Sequence, residues 1–137
     1  MRQTLADSHT LAARIADAAG LIKVHGHFTD HDFWPRAHEQ DWRPGLELDI
    51  TAAVYVAQGV TSYREIIAAC TRPDAVRHPD VDPAIDALLA HLGYTQAYGR
   101  IDDALHGLWI WEDHAGQGEV VAVMEQCAAA LRTGVAA

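Results

Sequence analysis

The chain has only two cysteines in 137 residues, Cys70 and Cys127. That is too few for a disulfide framework, and each lies in an apolar, helix-like context. The pattern favours two buried thiols in a reducing cytoplasm. Positive charge is scarce: ten Lys and Arg face nineteen Asp and Glu, for a formal charge of −9. Phosphate recognition needs clustered Lys and Arg, so this balance argues against a nucleic-acid interface. No apolar run reaches the length of a membrane span. The first residues lack the basic segment and apolar run of a signal peptide. No Ser or Cys sits in a nucleophile motif. Gly116-Gln117-Gly118 is too short for a phosphate loop and has no lysine beside it.

What is present is helical periodicity in a chain of single-domain length, half of it hydrophobic and much of that alanine. The organising stretch runs from Leu46 to Gln58. Asp49 or Thr51 is placed to cap it, and Gly59 to stop it. Between them Ile50, Ala52, Ala53, Val54, Tyr55, Val56 and Ala57 are apolar on almost every face, which predicts a helix buried by other helices. A first helix is expected over Leu11–Val24, capped by Ser8 or Thr10 and ended by Gly26, with Leu11, Ile15, Ala18, Ala19 and Ile22 inward. Ser62 and Glu65 form a capping box ahead of Tyr63–Cys70. Arg72 to Val81 reads as a linker. Asp82-Pro83 opens a helix with Ile85, Leu88, Leu89 and Leu92 buried and Gly93 as its stop. Ile101–Leu108 is a further short helix. Trp109 to Asp113 alternates and reads as a turn that plants a tryptophan in the core, with Asp113 as the cap of the last helix. That helix spans Glu119–Arg132, with Val120, Val123, Met124, Cys127 and Leu131 on one face. The sum is an all-α single-domain bundle (residues 1–137) of five or six helices, with a linker at 71–81 and a long irregular loop at 25–45.

That loop holds the sharpest chemical signal, His25-Gly-His27-Phe-Thr-Asp30-His31-Asp32. Imidazole and carboxylate ligate transition metals, and His25, His27, Asp30 and His31, with His38 nearby, form a candidate metal set. The string has one residue more, Thr29, than the metallo-β-lactamase-type His-x-His-x-Asp-His motif, and the chain is too short and too helical for that fold. The plainer reading makes His25 a cation at the C-terminal end of the first helix, with the other histidines on the surface. Phe33, Trp34, Arg36, Trp42 and Arg43 are a candidate contact surface, since Trp and Arg favour interfaces; the alternative is that the tryptophans fold the loop down onto the helices. Trp111 and Asp113 join the candidate binding residues. Glu112, Asp113 and His114 together make an acid/base pair conceivable. Asp30, Asp32, Glu39, Asp41, Glu47 and Asp49 raise a further reading, an acidic mimic of DNA, although Lys23, Arg36 and Arg43 are interspersed.

Leu11-Ala-Ala-Arg to His25-Gly26, Leu48-Asp49-Ile-Thr-Ala-Ala, and Trp111-Glu-Asp ahead of Gly116 resemble a family of small uncharacterised proteins from actinobacteria and their phages. In that family the first helix ends in His-Gly-Trp and a Trp-Asn-Asp turn precedes the last helix. Here His27 and Glu112 stand in place of the Trp and the Asn, and Gly118 in place of a threonine cap. The resemblance carries no activity and therefore no catalytic residue. The expectation is a small cytoplasmic helical interaction or accessory protein, not an enzyme, with a protein partner or a second copy. It has no membrane partner and no resident cofactor. The alternatives are metal binding and DNA mimicry.

Overall fold

The computed structural model describes residues 7–29, 32–71, 82–93, 108 and 110–134. Within them the chain forms helices α1 (Ser8–His25), α2 (Ile50–Val56), α3 (Tyr63–Thr71), α4 (Asp82–Leu92) and α5 (Gln117–Thr133). A short helical turn covers 110–113. Among the described residues there is no sheet, only one isolated parallel bridge between His27 and Leu48. The fold is all-α. The linker expected at 72–81 and most of the helix expected at 101–108 lie outside the described residues; Leu108 is buried.

The helix ends differ from expectation for local reasons. α1 starts three residues earlier than its apolar period, because Asp7 caps it: its Oδ1 accepts the Thr10 amide at 2.8 Å. A carboxylate reaches that orphan donor and also suits the positive end of the helix dipole. Ser8 and Thr10 are helix residues, not caps. At the other end the Gly26 amide donates to the Ile22 carbonyl, with Gly26 at φ 102°. A side chain there would also meet Glu47, whose Cγ stands 3.0 Å from an added Cβ.

All seven residues of α2 are buried, as an all-round apolar helix requires. Asp49 is its cap, accepting the Ala52 amide at 2.8 Å. Thr51 lies inside the helix instead, its hydroxyl buried without a hydrogen-bond partner. α2 is shorter than the apolar run: it stops at Val56, and residues 57–59 form a turn closed by Gly59 at φ 88°. The Ser62 hydroxyl accepts the Glu65 amide at 3.4 Å ahead of α3, as the capping box predicts.

α1 packs most extensively against α5, and α2 and α4 also lie on α1. Lys23 near the end of α1 reaches Glu125, and the His27 amide just beyond α1 donates to Gln117 at the start of α5, so these two helices run antiparallel. Their facing residues are small or slender: Ala12, Ile15, Ala18, Ala19 and Ile22 from α1, with Val120, Val121, Met124, Cys127 and Ala128 from α5. Alanine gives little volume, so the helices approach closely, and Ile85, Leu88 and Leu89 of α4 supply bulk. α5 buries Val121, where Val123 was expected; Val123 is half-buried. The Cys127 thiol donates to the Ala87 carbonyl at 3.7 Å, and burial pushes its pKa up to about 11, a poor state for a nucleophile. The side chain of Cys70 lies outside the described residues. Among those residues no helix is long and apolar enough to cross a membrane.

Two apolar residues of α1 test this packing. Ile15→Ala removes a fully buried side chain and is expected to cost about 2–5 kcal/mol in urea unfolding with the slope unchanged. Val24→Ala, at a site 76% exposed, is expected to change stability by less than about 0.5 kcal/mol.

Candidate functional site

The connector from Gly26 to Asp49 leaves α1 and returns beside itself. The Leu48 amide donates to the Gly26 carbonyl and the Phe28 amide to the Leu48 carbonyl, at 3.0 and 2.9 Å. Further out, Asp49 and Phe33 hold each other. The Asp49 amide donates to the Phe33 carbonyl at 2.9 Å, and the Phe33 amide donates to Asp49 Oδ2 at 3.2 Å. Phe33 adopts φ 71°, a left-handed conformation that a bulky aromatic residue rarely takes. Its ring is buried, with ring centres 6.2 Å from Trp34 and 5.9 Å from Tyr63.

The aromatic residues of this segment therefore divide. Phe33 and Trp34 are core residues, and the Trp34 indole donates to the Gln40 carbonyl at 2.9 Å. Trp42 is half-buried; its indole donates to the Leu46 carbonyl, and its ring meets His25 edge-on at 5.2 Å. Arg36 and Arg43 are exposed, with Arg36 at φ 55° and a long 3.9 Å pair to Glu39. Trp111 is half-buried and Asp113 exposed. The tryptophans fold the loop down, while the arginines project from it.

The histidines divide too. His25 is the last residue of α1, and its Nδ1 accepts the Gly45 amide at 3.0 Å. His38 is exposed beside Asp32 and Glu39. His27 is not on the surface. Its side chain is 3% exposed, and its Nε2 lies 2.7 Å from Glu112 Oε2. His25 and His27 are thus turned to different partners, and Asp30 and His31 lie outside the described residues. Among the described residues no three His, Cys, Asp or Glu groups are arranged to hold a metal.

The constellation that does form is His27, Glu112 and Asp49, around the start of α2. Glu112 Oε2 also accepts the Ile50 amide at 3.1 Å, while its Oε1 is buried without a hydrogen-bond partner. Asp49 is 1% exposed and accepts two backbone amides, Ala52 on Oδ1 and Phe33 on Oδ2. Burial raises the Glu112 pKa to about 8, against the pull of the Ile50 amide and with help from Asp113. Burial lowers the pKa of His27, and Asp49, Asp113 and Glu47 oppose that shift. Asp49 is raised by burial and by Glu112, with the Ala52 and Phe33 amides and His27 pulling the other way. A 2.7 Å contact is in the range of a charge-assisted hydrogen bond. A contact this short between a ring nitrogen and a carboxyl oxygen needs a proton on one of the two atoms.

Sequence reasoning placed Glu112 with Asp113 and His114 as an acid/base group. The structure separates them: Glu112 is buried, Asp113 and His114 are exposed, and His114 Nδ1 pairs with the Ile110 carbonyl at 2.9 Å. Asp113 does not cap α5; Gly116 occupies that position with no side-chain bond. The signal for Glu112 was in its spacing. Leu108 and Ala115, four residues before and three after, are both buried, so Glu112 stands on the apolar side of a helical turn.

Two open concavities are formed by described residues. One, about 520 Å³, is lined by Ala16, Asp17, Gly20, Leu21, Val24, His25, Val56 and Ala57. The other, about 340 Å³, lies between the end of α1 and the start of α5, around Lys23 and Gln117. Neither is lined by His27, Asp49 or Glu112. No protein-family model, curated protein or solved structure matches this chain.

Truncation separates the buried carboxylates from the exposed one. Glu112→Ala, which strands His27 and the Ile50 amide, is expected to destabilise by about 3–5 kcal/mol in urea unfolding. Asp113→Ala is expected to cost under about 1 kcal/mol. Arg36→Gly, which relieves the positive φ at an exposed position, is expected to raise stability by up to about 1 kcal/mol.

Proposed function

We propose that this chain is a small cytoplasmic helical interaction module, and that the apolar concavity between α1 and α2 is its contact surface. The observation that carries this reading is the exposure of Val24, at 76%, beside Leu21, Gly20, Ala16, Val56 and Ala57. A large aliphatic side chain held in water on a rigid helix, over a concave apolar floor, is the kind of feature that protein contacts cover. Asp17 and His25 supply a polar rim. The buried thiol of Cys127 agrees with a reducing compartment. The His27 and Glu112 side chains, 3% and 1% exposed, lie apart from this concavity. A role alongside the small actinobacterial and phage proteins that the sequence resembles is in keeping with this.

The test is a comparison of surface variants with unchanged circular dichroism. Val24→Glu is expected to weaken self-association in sedimentation, or binding of whatever partner the wild-type protein retains from a lysate, by at least about tenfold. Ala122→Glu, on the exposed side of α5, is expected to leave both unchanged. Equal binding by Val24→Glu and wild type would remove the concavity from consideration.

A further inference from the structure

From the geometry around α2 we infer that the His27–Glu112 contact is a proton-operated latch, which ties the connector and the 110–113 turn to the start of α2 and releases them when the pair loses its proton. The latch joins three separate parts of the chain at one oxygen: Glu112 Oε2 meets His27 Nε2 at 2.7 Å and accepts the Ile50 amide at 3.1 Å. A second tie lies alongside, where the His27 amide donates to Gln117 at 3.2 Å. The other carboxylate oxygen, Oε1, is buried with no partner. The site therefore has no spare donor with which to stabilise a full negative charge.

The surroundings make that charge costly. The connector brings Glu47 and Asp49, and the helical turn brings Asp113, all acidic. α5 contributes uncharged Gln117, α2 contributes the Ile50 amide, and α1 directs Lys23 outward to Glu125. His114 is exposed on the Ile110 carbonyl. With the proton present, the pair is neutral overall, whichever atom holds it. Without it, a net negative charge centred on the buried Glu112 lies near Asp49, Asp113 and Glu47, and opening to water relieves it.

Proton counting sets the sign. Open, the two groups titrate near their ordinary values, 4.5 for Glu and 6.5 for His. Closed, the buried Glu112 carboxyl keeps its proton up to about 8. From 6.5 to about 8 the closed state holds one proton more than the open state. Closure is therefore favoured at the lower pH, and opening rises by about tenfold per pH unit across that window.

The Ile50 amide reports this directly, because Glu112 is the partner the structure gives it. In hydrogen exchange followed by NMR, corrected for intrinsic rate, its protection is expected to fall by about tenfold per pH unit from about pH 6.5 to near pH 8. Glu112→Gln, which keeps an acceptor for Ile50 but cannot ionise, is expected to abolish the fall. Asp113→Asn removes a charge that helps hold the proton and is expected to move the midpoint to lower pH; it serves even where Glu112→Gln does not fold. Protection that is independent of pH in the wild type, an undiminished fall in folded Glu112→Gln, or an unmoved midpoint in Asp113→Asn would each overturn the latch.

Discussion

The carboxylate of Asp49 is the constraint on which the rest of the architecture depends. α2 is buried on every side, so its first amides have no water to turn to. Asp49 takes the Ala52 amide on one oxygen and the Phe33 amide on the other. Glu112 takes the Ile50 amide from a different part of the chain. Each such bond contributes on the order of 0.5–1.5 kcal/mol, and each buried amide left unmade would cost about 1–3 kcal/mol. A core helix of only seven residues has little propensity of its own to offer. It persists because its start is satisfied from outside and its sides are covered.

The same balance explains Phe33. A left-handed φ at an aromatic residue costs roughly 1–3 kcal/mol. Burying the ring returns about 1.5–3 kcal/mol, and the reciprocal hydrogen bonds with Asp49 add to that. The strain is tolerated because two independent terms hold the residue, one apolar and one polar. The connector is thus an ordered strap, its tryptophan indoles tied to its own carbonyls at Gln40 and Leu46. Aromatic content read as a recognition surface serves first to close the core.

Legibility in the sequence tracked the range of the interaction. The buried helix at Ile50–Val56, the Ser62 cap and the glycine stops at 26, 59 and 93 were readable, because each is set by neighbours within one or two turns. The inward face of α1 was readable from its period, while its true start was not. Asp7 precedes the apolar pattern, and competing caps at Ser8 and Thr10 hid it. The site was mostly illegible. His27 and Glu112 stand 85 positions apart, and nothing local marks His27 as the partner of Glu112. Reading 109–113 as a turn that plants a tryptophan left Glu112 unplaced; a helical turn puts it in line with Leu108 and Ala115. His25 and His27 looked alike because they share a segment, yet the residue between them is Gly26, where the helix ends and the chain turns. The turn sends one ring to Gly45 and the other into the core.

The surface and the interior point to different kinds of work. An open apolar concavity on a rigid helix is a matter of area and shape, and responds to partner concentration. A buried proton shared by two side chains responds to pH and to whatever pries the connector loose. The two meet at His25, which lines the concavity, stacks edge-on with Trp42 and accepts the Gly45 amide of the connector. A partner seated beside Val24 would press on that histidine, and through Trp42 on the strap that Asp49 and Glu112 hold. Coupling between contact and latch needs no long pathway, because the connector that one would touch is the connector that the other restrains. Its size is bounded by the strap's own hydrogen bonds, a few kcal/mol, which is the range in which binding at one site biases a second.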